Sequence, residues 1–434
     1  MTPAERAMGL GLRALGRFAS LDVIDRVGLR KPAERLLYRG TMAAGKAGRT
    51  FAAVTKLAKP ARQAPRKPAD LFDLTPDDEQ QMLQEAFGSF AADKLRPAAA
   101  EADADSAAPK ELLEQANELG VTMLGVPAEL DGPMAERSTV TSVLAAEALA
   151  HGDMGLAVAI LAPGAVSTAI GLWGNADQQA RYLPPFTGED PPAAALALLE
   201  PQPLFDPLAP KARARRTGDG FVLEATKSLV PRGADAELFV VGAELEGSGP
   251  ALFIVESKSE GVFVEPEPAM GLRAASLARV VFDDVKLGPD ALLGEGQPGV
   301  YAECVRRARL AWCALAVGTA QATLDYVIPY VNQREAFGEP ISHRQAVAFA
   351  VSDIAIELEG MRLTTWRAAS LADQGKDFAR ETAVARRLCA EKGMQIGSQG
   401  VQLLGGHGYV KEHPVERWYR DLRAAGVMEG GVLV

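Results

Sequence analysis

Apolar and polar positions alternate with two different periods along this chain, and the changes of period mark its parts. From Thr75 onward apolar residues recur at three- and four-residue intervals through Glu111–Leu119, Val140–His151 and Gly164–Trp173, with glycines and prolines at the joins. That spacing predicts amphipathic helices packed on one another. Thr75-Pro-Asp-Asp-Glu reads as a helix start, with Thr75 as the cap and acids in the first turn. From Ala193 the texture becomes short apolar runs between turn residues: Ala193–Leu199, Gly220–Glu224, Glu237–Val241, Ala251–Val255, Gly261–Val264 and Ala278–Phe282. These predict the strands of an antiparallel β region. Helical spacing returns over Val300–Val331, Ile341–Asp373 and Ala379–Leu404, with a last helix from Pro414, the pattern of a four-helix bundle.

The expected class is therefore α+β, in four parts. Residues 1–70 form a basic extension and proline-rich linker, 71–191 a helical domain, 192–295 a β domain and 296–434 a helical bundle. In the extension, Met8, Leu12, Leu15, Leu36, Leu37, Phe51 and Val54 fall at helical intervals among Arg13, Arg17, Arg35, Lys46, Arg49 and Lys56. The linker Pro60–Pro68 is extended, because proline disfavours helix in the residue before it.

Composition sharpens this picture in two places. With 434 residues, 48% hydrophobic and 24% charged, the chain is globular and large enough for several cores. Its net charge of -10 hides fifteen Lys/Arg against five Asp/Glu in residues 1–70, a balance of +10 that leaves -20 for the rest. Such an extension suits an anionic membrane surface or the acidic body of its own protein. Nucleic acid is not expected, since aromatics are sparse there and no reading motif is present. Cys304, Cys313 and Cys389 share no metal or disulfide spacing, so no metal is expected and a reducing cytoplasm is. Neither a secretion signal nor a run of eighteen apolar residues is evident, so the expected location is cytoplasmic, with the extension able to hold the protein at the inner face of the cell membrane.

The candidate chemistry lies near the chain end. Glu429 sits beside Gly430 and Gly431, behind Gln402-Leu-Leu-Gly-Gly-His-Gly-Tyr409, Glu412-His-Pro-Val-Glu-Arg417 and Arg420-Asp-Leu-Arg423. A lone carboxylate beside glycines, where backbone can approach a ligand, suits a base that removes a proton next to a carbonyl. On position alone, a solvated glutamate near a terminus is the commoner outcome. Other ordered strings are Leu124-Gly-Val-Pro127, Arg181-Tyr-Leu-Pro-Pro185, Gly271-Leu-Arg-Ala274, Val281-Phe-Asp-Asp-Val285 and Arg334-Glu-Ala-Phe-Gly338.

In order and spacing these strings resemble the acyl-CoA dehydrogenase family from about residue 72 onward. The resemblance implies an N-terminal helical domain, a β middle domain, a C-terminal bundle and FAD as cofactor. It implies that Glu429 takes the α-proton of an acyl-CoA thioester while FAD takes the β-hydride, in fatty acid β-oxidation. It implies FAD contacts from Arg334, Phe337, Gln402, Gly405, Gly406 and Gly430, with Gln402–Gly406 reaching across a subunit boundary. Arg309 and Asp206 would lie at the substrate, although Arg309 reads equally well as a bundle ion pair. An electron-transferring flavoprotein as acceptor and a homodimer or homotetramer follow from the same resemblance.

Two segments depart from the family pattern. Where the family has Thr-Glu-Pro-Gly-x-Gly-Ser-Asp, this chain reads Leu199-Glu-Pro-Gln-Pro-Leu-Phe-Asp206; where the family has Lys-x-Trp-Ile-Thr-Asn, it reads Lys227-Ser-Leu-Val-Pro-Arg232. Leu199, Leu229 and Pro231 thus replace polar or aromatic residues expected at the flavin ring, and a proline has no backbone donor. They leave a second reading open: a non-redox acyl-CoA-binding subunit of a mixed assembly, or a membrane-associated scaffold.

Overall fold

A computed structural model describes residues 74–133 and 138–432. The basic extension, with its membrane and self-docking readings, lies outside the described residues.

The first helical layer comprises α1 (Asp78–Phe90), α2 (Arg96–Asp105), α3 (Lys110–Glu118), α4 (Thr139–Gly152), α5 (Met154–Trp173) and α6 (Ala176–Tyr182). The cap of α1 is Asp77 rather than Thr75: its carboxylate accepts from Gln80 N, and Gln80 reaches back to the Asp77 amide. Helix α5 begins ten residues before the predicted Gly164–Trp173 segment and runs through Pro163. Burial overrides the local signal here, since both Pro163 and Gly164 are buried and the Gly164 Cα side faces the Val121 carbonyl. By length and composition α5 is long and apolar enough to cross a membrane, but 67% of its most apolar stretch is buried inside the protein.

The middle sheet contains β1 (Ala194–Ala197), β2 (Arg213–Thr217), β3 (Gly220–Val230), β4 (Leu238–Leu245), β5 (Gly249–Glu256), β6 (Val262–Pro266), β7 (Ala278–Leu287) and β8 (Leu292–Leu293), in the order β6-β7-β3-β2-β4-β5-β8. Most neighbours are antiparallel, as the spacing of the short apolar runs predicts. Two pairings are parallel: β1 and β2 lie end to end along one edge of β4, with Ala194 opposite Leu238 and Arg213 opposite Glu244. A register shift in β3 between Lys227 and Val230 bends the strand just before Pro231.

The C-terminal domain is built on α7 (Val300–Gln333), α8 (Gln345–Asp373) and α9 (Ala379–Leu404), with β9 (Glu335–Ala336) and β10 (Glu339–Pro340) forming a hairpin between α7 and α8. Its fourth helix, α10 (Val415–Asp421), is short and continues as a 3-10 turn over Leu422–Gly426. Helices α4 and α7 approach so closely at Gly318 that a Cβ there would lie 2.1 Å from the Glu147 carbonyl oxygen.

Buried ion pairs join the helical layer to the bundle. Arg362 Nε meets Glu147 Oε1 at 2.7 Å, Arg417 Nε meets Asp153 Oδ2 at 2.8 Å, and Arg420 Nη2 meets Asp103 Oδ2 at 2.9 Å. The Gly271–Ala274 string docks on the same joint, because Leu272 N donates to Asp421 Oδ1 at 2.7 Å. A Cβ at Gly271 would meet the Arg420 carbonyl oxygen at 2.7 Å, so glycine is required for that approach.

Candidate active site

Glu429 lies on a turn, not a helix, with φ 52°. This left-handed conformation is costly for a residue with a Cβ. Gly430 follows at φ 95°, and a Cβ there would lie 2.5 Å from Pro207 Cδ and 2.7 Å from the Phe205 carbonyl oxygen. Gly431 N donates to that same carbonyl at 3.3 Å. The turn is thereby seated against Phe205–Pro207, the segment carrying Asp206.

Two arginines grip the carbonyls of the turn. Arg309 Nε on α7 donates to the Glu429 carbonyl oxygen at 3.1 Å. Arg386 Nη2 on α9 donates to the carbonyl oxygens of Met428, at 2.6 Å, and Gly430. Burial lowers the Arg309 pKa, opposed by the charges of Glu429 and Asp206, which puts Asp206 in the same electrostatic environment; its carboxylate also accepts from Leu208 N at 2.9 Å.

The Glu429 side chain is 7% exposed, and its Oε2 has no hydrogen-bond partner. Burial pushes its pKa up to about 7, against the lowering effects of Arg386, Arg309 and the Trp312 indole. A carboxyl group held near neutral pH with a free oxygen is chemically a proton acceptor. It lines a cavity of about 400 Å3 whose other walls include Val143, Ala146, Leu161 and Trp312. Pro231 faces the same cavity, so the departure from the family pattern and the Glu429 carboxylate share one space.

The surviving Glu-Pro and Lys residues have a structural role. Lys227, fully buried, meets Glu200 Oε1 at 2.9 Å and donates to the Leu198 carbonyl at 3.1 Å. Glu200 also accepts from the amides of Lys211 and Ala212. Burial lowers the Lys227 pKa to about 8 despite the raising effect of Glu200. Leu229, at φ 50°, is held by its amide, which donates to Glu267 Oε2 at 2.6 Å; Ser228 Oγ and Arg279 bind the same carboxylate.

A second cavity, of about 570 Å3, is lined by five of the sequence-predicted cofactor residues: Arg334, Phe337, Gln402, Gly405 and Gly406. One chain thus brings both segments to one cavity. Gly430 is not among its lining residues and belongs with the Glu429 turn. Phe337 is 95% exposed at φ 57°, with the Arg344 guanidinium 5.6 Å from its ring centroid. His407 also lines this cavity, stacked on His413 at 5.2 Å, and each ring is hydrogen-bonded to a tyrosine, Tyr330 and Tyr326 respectively. Among the described residues no cluster could hold a metal ion.

Sequence reasoning missed Arg386 and Trp312. Arg386 carried a signal: residues 382, 383, 389 and 390, its helical neighbours at three and four residues, include no acid that would make it a surface ion pair.

Comparison with known proteins agrees with this architecture. The chain matches "Acyl-CoA dehydrogenase, N-terminal domain" over residues 77–190, the corresponding middle domain over 195–285 and the C-terminal domain over 299–431. It is 34% identical to the short-chain specific acyl-CoA dehydrogenase of Bos taurus, over 81% of this chain and 86% of that protein. Among solved structures, butyryl-CoA dehydrogenase from Megasphaera elsdenii superposes with a TM-score of 0.77 at 28% identity, covering 83% of this chain and 97% of that one. A chain from "Electron transferring flavoprotein of Acidaminococcus fermentans: Towards a mechanism of flavin-based electron bifurcation" gives a TM-score of 0.77 at 29% identity, with the same coverage.

Proposed function

Because this chain belongs to the acyl-CoA dehydrogenase family of FAD-binding oxidoreductases, we propose that it dehydrogenates an acyl-CoA thioester with Glu429 as its base. The observation that carries the assignment is the buried Glu429 carboxylate, with a free oxygen on the wall of an apolar cavity. An acyl chain in that cavity excludes water, and its α-carbon presents an acidic proton only beside the thioester carbonyl. Glu429 accepts that proton as the α,β double bond forms. Bound FAD supplies the two-electron acceptor for the hydride that leaves the β-carbon. Trp312 and the α4 and α5 side chains confine the acyl chain, and Arg309 fixes the carbonyl of the base.

The residues around the second cavity suit the dinucleotide part of FAD. Among the described residues, no hydrogen bond or ion pair engages the Arg334 guanidinium, which leaves its paired donors available to a diphosphate. The exposed Phe337 ring offers a stacking surface, and Gly405 and Gly406 leave room for backbone approach. Exposed Phe349, Ile356 and Leu363 recur every seven residues on α8, which supports assembly of copies through the bundle. An electron-transferring flavoprotein is the proposed acceptor. The cytoplasmic assignment and membrane contact through residues 1–70 are likewise proposals; binding to anionic liposomes that weakens at high salt tests the latter.

The test is anaerobic bleaching of the FAD-loaded protein by straight-chain acyl-CoAs of increasing length. Bleaching that disappears in Glu429→Gln while FAD stays bound is expected, with the wild-type rate rising as pH passes about 7. The second reading, a non-redox acyl-CoA-binding subunit, draws on Leu199, Leu229 and Pro231, which stand where the family pattern has polar or aromatic residues. Protein that stays colourless with added FAD yet binds acyl-CoA supports that reading and sinks the first.

A further inference from the structure

Three consecutive carbonyls, those of Met428, Glu429 and Gly430, all accept hydrogen bonds from guanidinium groups. Arg309 supplies one of them and Arg386 the two that flank it. Arg386 reaches the turn from α9, a different helix from the one bearing Arg309. It is 3% exposed, and no carboxylate is paired with it among the described residues. Its Nε and Nη1 are buried without a partner. A guanidinium is rarely buried without an anion close by. What this one meets is the carbonyl pair flanking Glu429 and, through space, the Glu429 charge itself.

We propose that Arg386 is a positioning residue for Glu429: its Nη2, bonded to the two flanking carbonyls, holds the left-handed turn that aims the carboxylate into the cavity, and its charge favours the ionised form of that carboxylate. The inference rests on Glu429 being the base. Arg386 and Arg309 are the charges that act against protonation of Glu429. On α7 the groups around Glu429 are Tyr301, Cys304, Arg309 and Cys313, with Arg307 on the wall of the same cavity; on α8, Asp373 on that wall; on the Phe205–Pro207 segment, Asp206; on α9, Arg386 and Cys389. Burial pushes Tyr301 and Cys304 up, so they stay neutral near pH 7. Cys389 is held up by its contact with Cys313 and by burial. Asp206 adds negative charge, which Arg309 faces. Burial and the neighbouring Arg309 lower the Arg386 pKa to about 10, so it remains charged across the range in which Glu429 titrates.

The experiment is an infrared titration of the Glu429 carboxyl in FAD-loaded protein, isolated by subtracting the Glu429→Gln spectrum, together with the pH profile of flavin bleaching. In Arg386→Gln the carboxyl midpoint is expected to rise by about one unit or more, because a nearby opposite charge is lost. Bleaching at pH 7 then falls by about fivefold and recovers as pH rises, since the ionised fraction drops from about one half to about one tenth when the midpoint moves up one unit from about 7. Arg386→Lys keeps the charge but ends one atom short of the Nη2 that bonds both carbonyls, so its midpoint stays within about half a unit of wild type while bleaching at high pH falls by about fivefold. An unmoved midpoint in Arg386→Gln overturns the proposal. If that variant does not fold, Arg386→Lys decides: wild-type bleaching at high pH, or a midpoint raised by a full unit, overturns it. The infrared titration needs no turnover, so failure of the base assignment shows separately, as wild-type protein that binds FAD but does not bleach.

Discussion

Replacing Glu429 by glutamine removes a group whose folded-state pKa is about 7 against an ordinary 4.5. The folded protein holds a proton that the unfolded chain releases between those values. Its stabilising contribution is therefore fully present below about pH 4.5 and lost as pH rises through about 7. Each unit of difference is about 1.4 kcal/mol, so the wild type loses about 3 kcal/mol relative to the variant across this window. The attraction of Arg309 and Arg386 for the ionised carboxylate is already contained in the value of about 7, so it adds no separate offset. Asp421, whose buried carboxyl is pushed up to about 7 by burial and by Asp153, titrates in the same window in both proteins and cancels in the difference. Urea unfolding of both proteins, followed by far-UV circular dichroism at several pH values from 4.5 to 8, gives the measurement. The stability of wild type minus variant is expected to fall by about 3 kcal/mol up to pH 7 and then level off. A difference that is flat, or that rises with pH, refutes the buried-carboxyl reasoning whatever its absolute size.

Three further outcomes follow from the same geometry. Gly318→Ala places a methyl 2.1 Å from the Glu147 carbonyl oxygen and should cost about 2–3 kcal/mol in urea unfolding, although alanine alone favours helix by about 1 kcal/mol. Arg417→Met strands Asp153, which is 1% exposed and loses its 2.8 Å partner; a loss of about 3–5 kcal/mol is expected at neutral pH and less in acid, where the carboxyl is protonated. Arg334→Ala should weaken FAD binding about tenfold, about 1.4 kcal/mol, read from flavin fluorescence, while the Glu429 infrared midpoint stays at its wild-type value.

How far the sequence reaches depends on where the determining contacts lie. Long periodic stretches such as Ala379–Leu404 are legible because helix packing repeats the same apolar spacing over seven turns or so. Strand β2 was not, because Arg213, Arg215 and Arg216 point outward and Ala214 alone is buried, so there is hardly an alternation to see. Helix α5 was cut short at Pro163-Gly164, where tertiary burial outweighs two local breakers. In the site, the carboxylate beside two glycines was visible because close approach needs glycine locally. The gripping of its turn by Arg386 was not, because the partners are backbone carbonyls 42 and 44 residues away and carry no side-chain signature. The Gly271–Ala274 and Arg420–Arg423 strings looked like independent marks, yet they are two sides of one buried joint.

With Glu429 as the proposed base, its placement on a turn has a physical consequence for the reaction. A glutamate on a helix is oriented by its own helix and needs no outside support. At φ 52° the Glu429 turn needs donors for its inward carbonyls, and those donors are the positive charges that lower its pKa. Orientation and ionisation are thus coupled through the same two side chains. Burial alone would hold the carboxyl protonated at neutral pH, useless as a base, while full solvation would leave it ionised but too weakly basic to draw a proton from carbon. The arginines set the balance between these limits. The geometry that aims the carboxylate is therefore also what keeps it able to accept a proton, and a substitution that loosens the turn should change the pH profile as well as the rate.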